Sequence, residues 1–212
     1  MSEHIPGQWE ERVATAEAGL HAGCMGDKPP RSEATYEDLE RVPSNFVGEI
    51  VGGELYVSPR PRTVHARAAF RLSRALGPFD RNPGGEGPGG WVLLFEPELH
   101  LGGEALVPDL AGWRRERMPE LPDAAALTLA PDWVCEVLSP STEALDRVRK
   151  MGSYAREGVK HLWLVDPGPR MLEVYRLEEG RWSRLGAYLG NATVHAEPFE
   201  VLALELGSLW ER

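Results

Sequence analysis

Cysteine is nearly absent from this chain. Cys24 and Cys135 are the only two among 212 residues. Cys135 sits in an apolar run with the character of a core strand, so a disulfide framework is excluded as the organising device and a reducing cytoplasm is the expected compartment. Long hydrophobic runs are missing as well. No stretch approaches the ~20 apolar residues that a spanning helix needs. The first eight residues lack a basic head followed by an apolar core, so secretion is not expected. Positive charge is also short: 23 Lys and Arg against 33 Asp and Glu give a net charge of −10. That balance argues against a constitutive nucleic-acid binder, although a local basic face or a bridging cation can overcome a global deficit. No internal repeat is visible.

What remains is ordinary globular composition, 42% hydrophobic and 26% charged, enough for one domain with a sizeable core. Residues 1–31 read as an N-terminal extension in which Trp9–Leu20 could form a short amphipathic helix. Residues 32–212 read as the domain. Thr35-Tyr36-Glu37-Asp38 has the form of a capping box. Gly52-Gly53 joins two extended runs, as in a tight hairpin. His65–Leu76 predicts a helix with Ala68, Ala69, Leu72 and Leu76 inward. Trp91–Leu101 and Ala105–Arg114 predict strands, and Met118–Leu129 a loop with room for a short helix. Asp132–Leu138 predicts another strand. Ser139-Pro140-Ser141-Thr142 opens a helix to about Glu157, with Gly158 at its C′ position. His161–Val165, Met171–Leu177 and Trp182–Leu189 predict the last strands, the final two joined around Glu179-Gly180. This order gives an α/β (α+β mixed) fold, a mixed sheet with helices on it.

Gly85-Glu86-Gly87-Pro88-Gly89-Gly90 matches the spacing of a dinucleotide-binding loop. That motif has to open a helix, and here a strand-like run, Trp91–Phe95, follows it. A plain loop is the better reading.

Two acids interrupt apolar runs: Asp109 in Val107-Pro108-Asp109-Leu110-Ala111 and Glu136 in Trp133-Val134-Cys135-Glu136-Val137. Alone, each is an ordinary strand-end or salt-bridged acid. Together on neighbouring strands they would repel, and a shared divalent cation relieves that repulsion. Magnesium takes oxygen ligands and keeps several waters, so two carboxylates and the carbonyl of Val137 would suit it. Asp146, Lys150 and Tyr154 are four apart and share one helix stripe. The bland account is a solvated face with an Asp–Lys pair worth ~0.3–0.5 kcal/mol. Leu145, Val148, Met151 and Ala155 mark the expected buried side, which points Lys150 away from the core. Arg67, Arg71 and Arg74 share a helix face suited to phosphate contacts or simply to solvation. His65 stands at the start of that helix.

The stretch Pro131-Asp132-Trp133-Val134-Cys135-Glu136-Val137-Leu138-Ser139-Pro140-Ser141-Thr142 resembles the Uma-type restriction endonuclease family, within the PD-(D/E)-x-K nuclease superfamily. So do Asp146, Lys150 and Tyr154 with Gly158-Val159, and His161–Pro167. Glu49–Glu54, His65 and Pro108-Asp109 extend the likeness over about residues 35–210. The resemblance implies a restriction-endonuclease-like fold, a central mixed sheet flanked by helices. It implies catalytic roles for Asp109, Glu136 and Lys150, the last standing in for a lysine missing at Leu138. It further implies Mg²⁺ (or Mn²⁺) held by Asp109, Glu136 and Val137, a DNA substrate held by Arg67, Arg71 and Arg74, and support from Glu54, His65 and Tyr154. Double-strand cutting by a chain with one site predicts a homodimer. The competing expectations are a non-catalytic binding or scaffold module on the same fold, and a nuclease for RNA.

Overall fold

The computed structural model describes residues 33–80 and 87–211. The expected helix Trp9–Leu20 and most of the Gly/Pro-rich loop lie outside the described residues.

A short helix, α1 (Tyr36–Glu40), opens at Thr35. Asp38 accepts hydrogen bonds there from the Thr35 amide and hydroxyl. Strands β1 (Phe46–Val51) and β2 (Glu54–Pro59) form the expected hairpin. Gly52 and Gly53 turn it with φ of 60° and 75°, the pair of positive angles that matches the twist of the flanking strands. The long helix α2 runs from Thr63 to Asp80. Ala68, Ala69, Leu72 and Leu76 are fully buried, as their spacing requires.

The two long strands expected next are each broken. Trp91–Leu101 divides into β3 (Trp91–Phe95) and β4 (Leu99–Leu101), and Ala105–Arg114 into β5 (Glu104–Leu106) and β6 (Leu110–Arg114). Glu96, at φ 45°, and Pro97 make the first break. Pro108, which has no N–H to give a ladder, lies in the second. The breaks carry the chain between sheets. β3 and β6 belong to a six-stranded mixed sheet in which they lie beside four later strands, β7 (Trp133–Val137), β8 (His161–Asp166), β9 (Met171–Glu178) and β10 (Arg181–Leu189), in the order β10-β9-β8-β7-β6-β3, whereas β4 and β5 belong to a four-stranded antiparallel sheet of order β2-β1-β5-β4. Residues 118–129 contain no helix; Leu127 bridges to Leu99 instead.

In the larger sheet β7 (Trp133–Val137) and β8 (His161–Asp166) are the parallel pair, so a crossover must join them. The crossover is the predicted helix, with one difference. Leu145–Lys150 is a π-helical segment that continues into α3 (Met151–Arg156). The Met151 amide accordingly reaches back five residues to the Asp146 carbonyl. Gly158, at φ 74°, ends it. β9 (Met171–Glu178) and β10 (Arg181–Leu189) form the closing hairpin, followed by β11 (Thr193–Val194), β12 (Leu204–Glu205) and α4 (Gly207–Trp210).

β7 shows how the sheet separates two cores. Trp133, Cys135 and Val137 face α2 and the C-terminal segment. Trp91, Trp133, Trp163 and Phe79 surround Phe199 there at centroid distances of 4.7–5.6 Å. Val134 faces the other core, with Leu162, Leu164 and Tyr154. Strand periodicity puts Glu136 on that second side. No helix among the described residues is long and apolar enough to cross a membrane.

Candidate active site

Four carboxylates and one ammonium meet where the two sheets and the crossover helix converge. Glu49 comes from β1, Asp109 from just ahead of β6, Glu136 from β7, and Asp146 and Lys150 from the π segment. All five are buried, and all line one small cleft of about 60 Å³, together with His65 and Thr142.

Lys150 sits at its centre. Its Nζ lies 2.8 Å from Glu49 Oε1, 2.9 Å from Glu136 Oε1 and 3.5 Å from Asp146 Oδ1. It also donates to the Val107 carbonyl at 3.4 Å. Glu49 Oε1 accepts the Val107 amide as well (2.8 Å). The Tyr154 hydroxyl donates to Glu136 Oε1 at 2.6 Å. Asp109 is held from two sides: Oδ2 accepts the Val137 amide at 2.7 Å, and Oδ1 meets His65 Nε2 at 2.5 Å.

Burial governs the ionisation here. It pushes Glu136 well above the usual carboxylate range; Lys150 offsets this in part, while Asp146, Asp109 and Glu49 push it further up. Asp146 is raised for the same leading reason, again offset by Lys150. Burial alone would lower Lys150, but Glu136 and Glu49 outweigh it and keep the ammonium protonated well above the ordinary lysine range. Burial and then Glu136 raise Tyr154, which stays a hydrogen-bond donor.

Of the residues singled out in the sequence, Asp109, Glu136, Lys150 and His65 line the cleft, and Tyr154 backs it. Lys150 does not point to solvent as helical angles suggested, and Val148, assigned to the buried side, is 71% exposed. The stripe itself keeps ordinary helical spacing, since Asp146, Lys150, Ser153 and Tyr154 are all buried; here the polar stripe turns inward, to carboxylate partners on β1 and β7, and the apolar one does not. The Val137 amide holds Asp109, while its side chain packs in the α2 core. Glu54 lies outside the cleft; it is half exposed on the hairpin, bonded to the Tyr56 hydroxyl at 2.8 Å and 3.9 Å from Arg149. The three arginines are not at the cleft either. At about 100° per residue they stand roughly 180–240° around α2 from His65. Arg71 pairs with Glu211 at 3.0 Å, Arg67 lines a different hollow, and Arg74 is exposed. Glu49 was not anticipated. Its signal was present, since it is an isolated acid in the apolar run Phe46–Val51, the same pattern that marked Asp109 and Glu136. Among the described residues no three His, Cys, Asp or Glu side chains are grouped to hold a metal ion by themselves.

The two sheets and flanking helices define a protein of the nuclease-like fold class. They superpose on a solved structure from Anabaena variabilis described as "a putative nuclease belonging to DUF820", with a TM-score of 0.67 over 84% of this chain and 97% of that one, at 20% sequence identity. The sequence matches the family described as "Uma2: Putative restriction endonuclease" over residues 34–207. The chain belongs to that family. No curated protein matches it.

Proposed function

We propose that this chain is a metal-dependent endonuclease that hydrolyses DNA phosphodiester bonds. One observation carries this reading: four buried carboxylates share a cleft with a single buried ammonium. That leaves negative charge which a divalent cation would relieve. The donor set fits a hard cation. Asp109 and Glu136, with the main-chain carbonyl of Val137, would hold Mg²⁺ or Mn²⁺, and such ions keep water in their remaining positions, so a third carboxylate is not required.

When bound, the ion supplies Lewis acidity toward a phosphoryl oxygen and lowers the pKa of water. The chain's own residues do the rest. Lys150 presents a fixed positive charge to the charge that develops on the phosphate. Glu49 and Asp146 fix the ammonium, Tyr154 fixes Glu136, and His65 with the Val137 amide fixes Asp109, so little reorganisation accompanies reaction. If the substrate is a duplex, cutting both strands from one such cleft needs a two-fold dimer, a state that sedimentation at micromolar concentration would reveal.

The test is nicking of supercoiled plasmid in Mg²⁺ or Mn²⁺. Asp109→Asn and Glu136→Gln keep side-chain shape and remove charge; each should abolish nicking while circular dichroism stays unchanged. Full nicking by both variants overturns the assignment. The −10 charge favours a second reading, a non-catalytic scaffold on the same fold. Calorimetric titration with Mg²⁺ separates the two, because a scaffold gives no heat that Asp109→Asn removes.

A further inference from the structure

His65 is also a wall of a second space. On the other side of that residue lies a hollow of about 540 Å³ between the start of α2 and the turn after β8, where Arg62 stands opposite Asp166 and Pro167. Thr63, Val64, Pro167 and Gly168 line this hollow and also a second one of about 580 Å³, which runs on to Arg67, Arg170 and Trp210. The shared walls make one trough, leading from the carboxylates around the end of α2 to α4.

Its charge is uneven in a telling way. Two of the acids along it are paired with cations, Glu143 with Arg147 at 2.9 Å and Glu211 with Arg71 at 3.0 Å, while Asp166 accepts only the neutral Gly168 amide at 3.0 Å and keeps its charge. Arg62, Arg67 and Arg170 make no ion pair among the described residues. Three uncommitted guanidinium groups therefore line one path on a protein whose net charge is −10. Trp210 stands at the far end, half-buried, its indole N–H donating to the Gly190 carbonyl at 2.7 Å, which pins the ring at the trough wall.

We infer that this trough takes a single unpaired nucleic-acid strand and leads it to the carboxylate cleft, an inference that rests on the endonuclease reading and names its substrate. A row of cations that tracks one backbone, ending on an aromatic ring, is the chemistry of single-strand binding; stacking needs the open face of an unpaired base. A duplex offers its bases only at groove edges, which a protruding helix or ribbon must enter, and the trough is a recess. The arginines that face phosphate are thus Arg62, Arg67 and Arg170, not the Arg67, Arg71 and Arg74 face of α2.

The experiment is fluorescence anisotropy of the full chain with labelled oligothymidine of twenty nucleotides and with a blunt duplex of equal length, in EDTA so that nothing is cut. Wild type should bind the single strand at least tenfold tighter. The double variant Arg67→Gln with Arg170→Asn should lose affinity, and its slope of log affinity against log salt should shrink by about 1.4, since each single-strand phosphate contact contributes about 0.7. Asn is chosen because Arg170 has φ 59°, a conformation Asn tolerates well. Arg181→Gln, an exposed arginine outside the trough, is the control and should behave as wild type. Equal or tighter duplex binding, an unchanged slope in the double variant, or the same loss in the control would each overturn the inference. A protein that nicks plasmid but fails these tests loses only the trough; one that passes them and never nicks loses only the nuclease assignment.

Discussion

At Lys150 two opposing effects are large and the outcome depends on which wins. Burial disfavours the ammonium, while Glu136, Glu49 and Asp146 favour it. Removing one partner of such a buried set leaves the others uncompensated, at a cost of ~3–5 kcal/mol. Lys150→Met should be destabilised by about that amount at pH 8. Without the ammonium, Glu136 and Asp146 rise further than they already do. A carboxyl whose folded pKa is raised stabilises the fold below its unfolded value, and that contribution is lost as pH rises through the folded value. The deficit of the variant should therefore be small near pH 5 and widen toward pH 8, as urea unfolding at the two values would show; a deficit independent of pH would remove the carboxylates from the explanation. In the wild type the raised pKa of Lys150 itself acts in another window. Its contribution is complete below the ordinary lysine value of 10.5 and fades only above it. Tyr154→Phe makes a gentler probe. It deletes one hydrogen bond to a buried carboxylate, worth ~1.5–3 kcal/mol, and should lower both the urea midpoint and the nicking rate. A variant with wild-type values in both would reduce Tyr154 to packing.

Between residues and fold stands the crossover helix, where position is set by an irregularity. The π segment Leu145–Lys150 accommodates one residue more than an α-helix would in the same length. Val148, 71% exposed, bears no packing load. Deleting it should restore regular α hydrogen bonding, keep Met151–Arg156 on the sheet, and change the Asp146–Lys150 spacing from i,i+4 to i,i+3, which shifts the Asp146 carboxylate along the same stripe relative to the ammonium. The expected result is a folded protein, by circular dichroism and cooperative melting, that no longer nicks DNA. A deletion variant that nicks at the wild-type rate would show that the bulge does not position the site. The same element explains what the sequence could and could not tell. The continuous apolar run of β7 exposed Glu136 as an intruder, the glycine pair fixed the first hairpin, and the small residues of α2 marked its inner face, because each rests on a local pattern. The inward face of Asp146 and Lys150 was missed because apolar content ordinarily marks the core side, whereas here a polar stripe is buried against the carboxylates of Glu49 and Glu136. The breaks at Glu96 and at Pro108 were missed for a different reason: Pro97 and Pro108 mark interruptions in the two runs, but that the halves then pair in separate sheets is a choice made by tertiary partners. The arginines were expected to hold DNA beside His65, although their spacing already turns them roughly 180–240° around the helix from it.

For the molecule as a whole, the carboxylates of the cleft couple stability to cations. Four acids facing one ammonium repel one another in the folded state, where they are held together, and not in the unfolded chain. Any ion that binds only the folded form raises stability, by about 2.7 kcal/mol when its free concentration is a hundred times the dissociation constant. Adding Mg²⁺ or Mn²⁺ should raise the melting temperature, EDTA should reverse the rise, and Asp109→Asn should diminish it. Protons compete for the same oxygens. Glu136 already binds its proton more tightly than a free glutamate does, so the rise should be largest above neutral pH and shrink on acidification, well before ordinary carboxylates titrate. Differential scanning fluorimetry over a grid of pH and cation concentration measures this directly. A rise equal in wild type and Asp109→Asn, or one that grows as the pH falls, would place the cation elsewhere on the acidic surface and separate the charge of the cleft from metal binding.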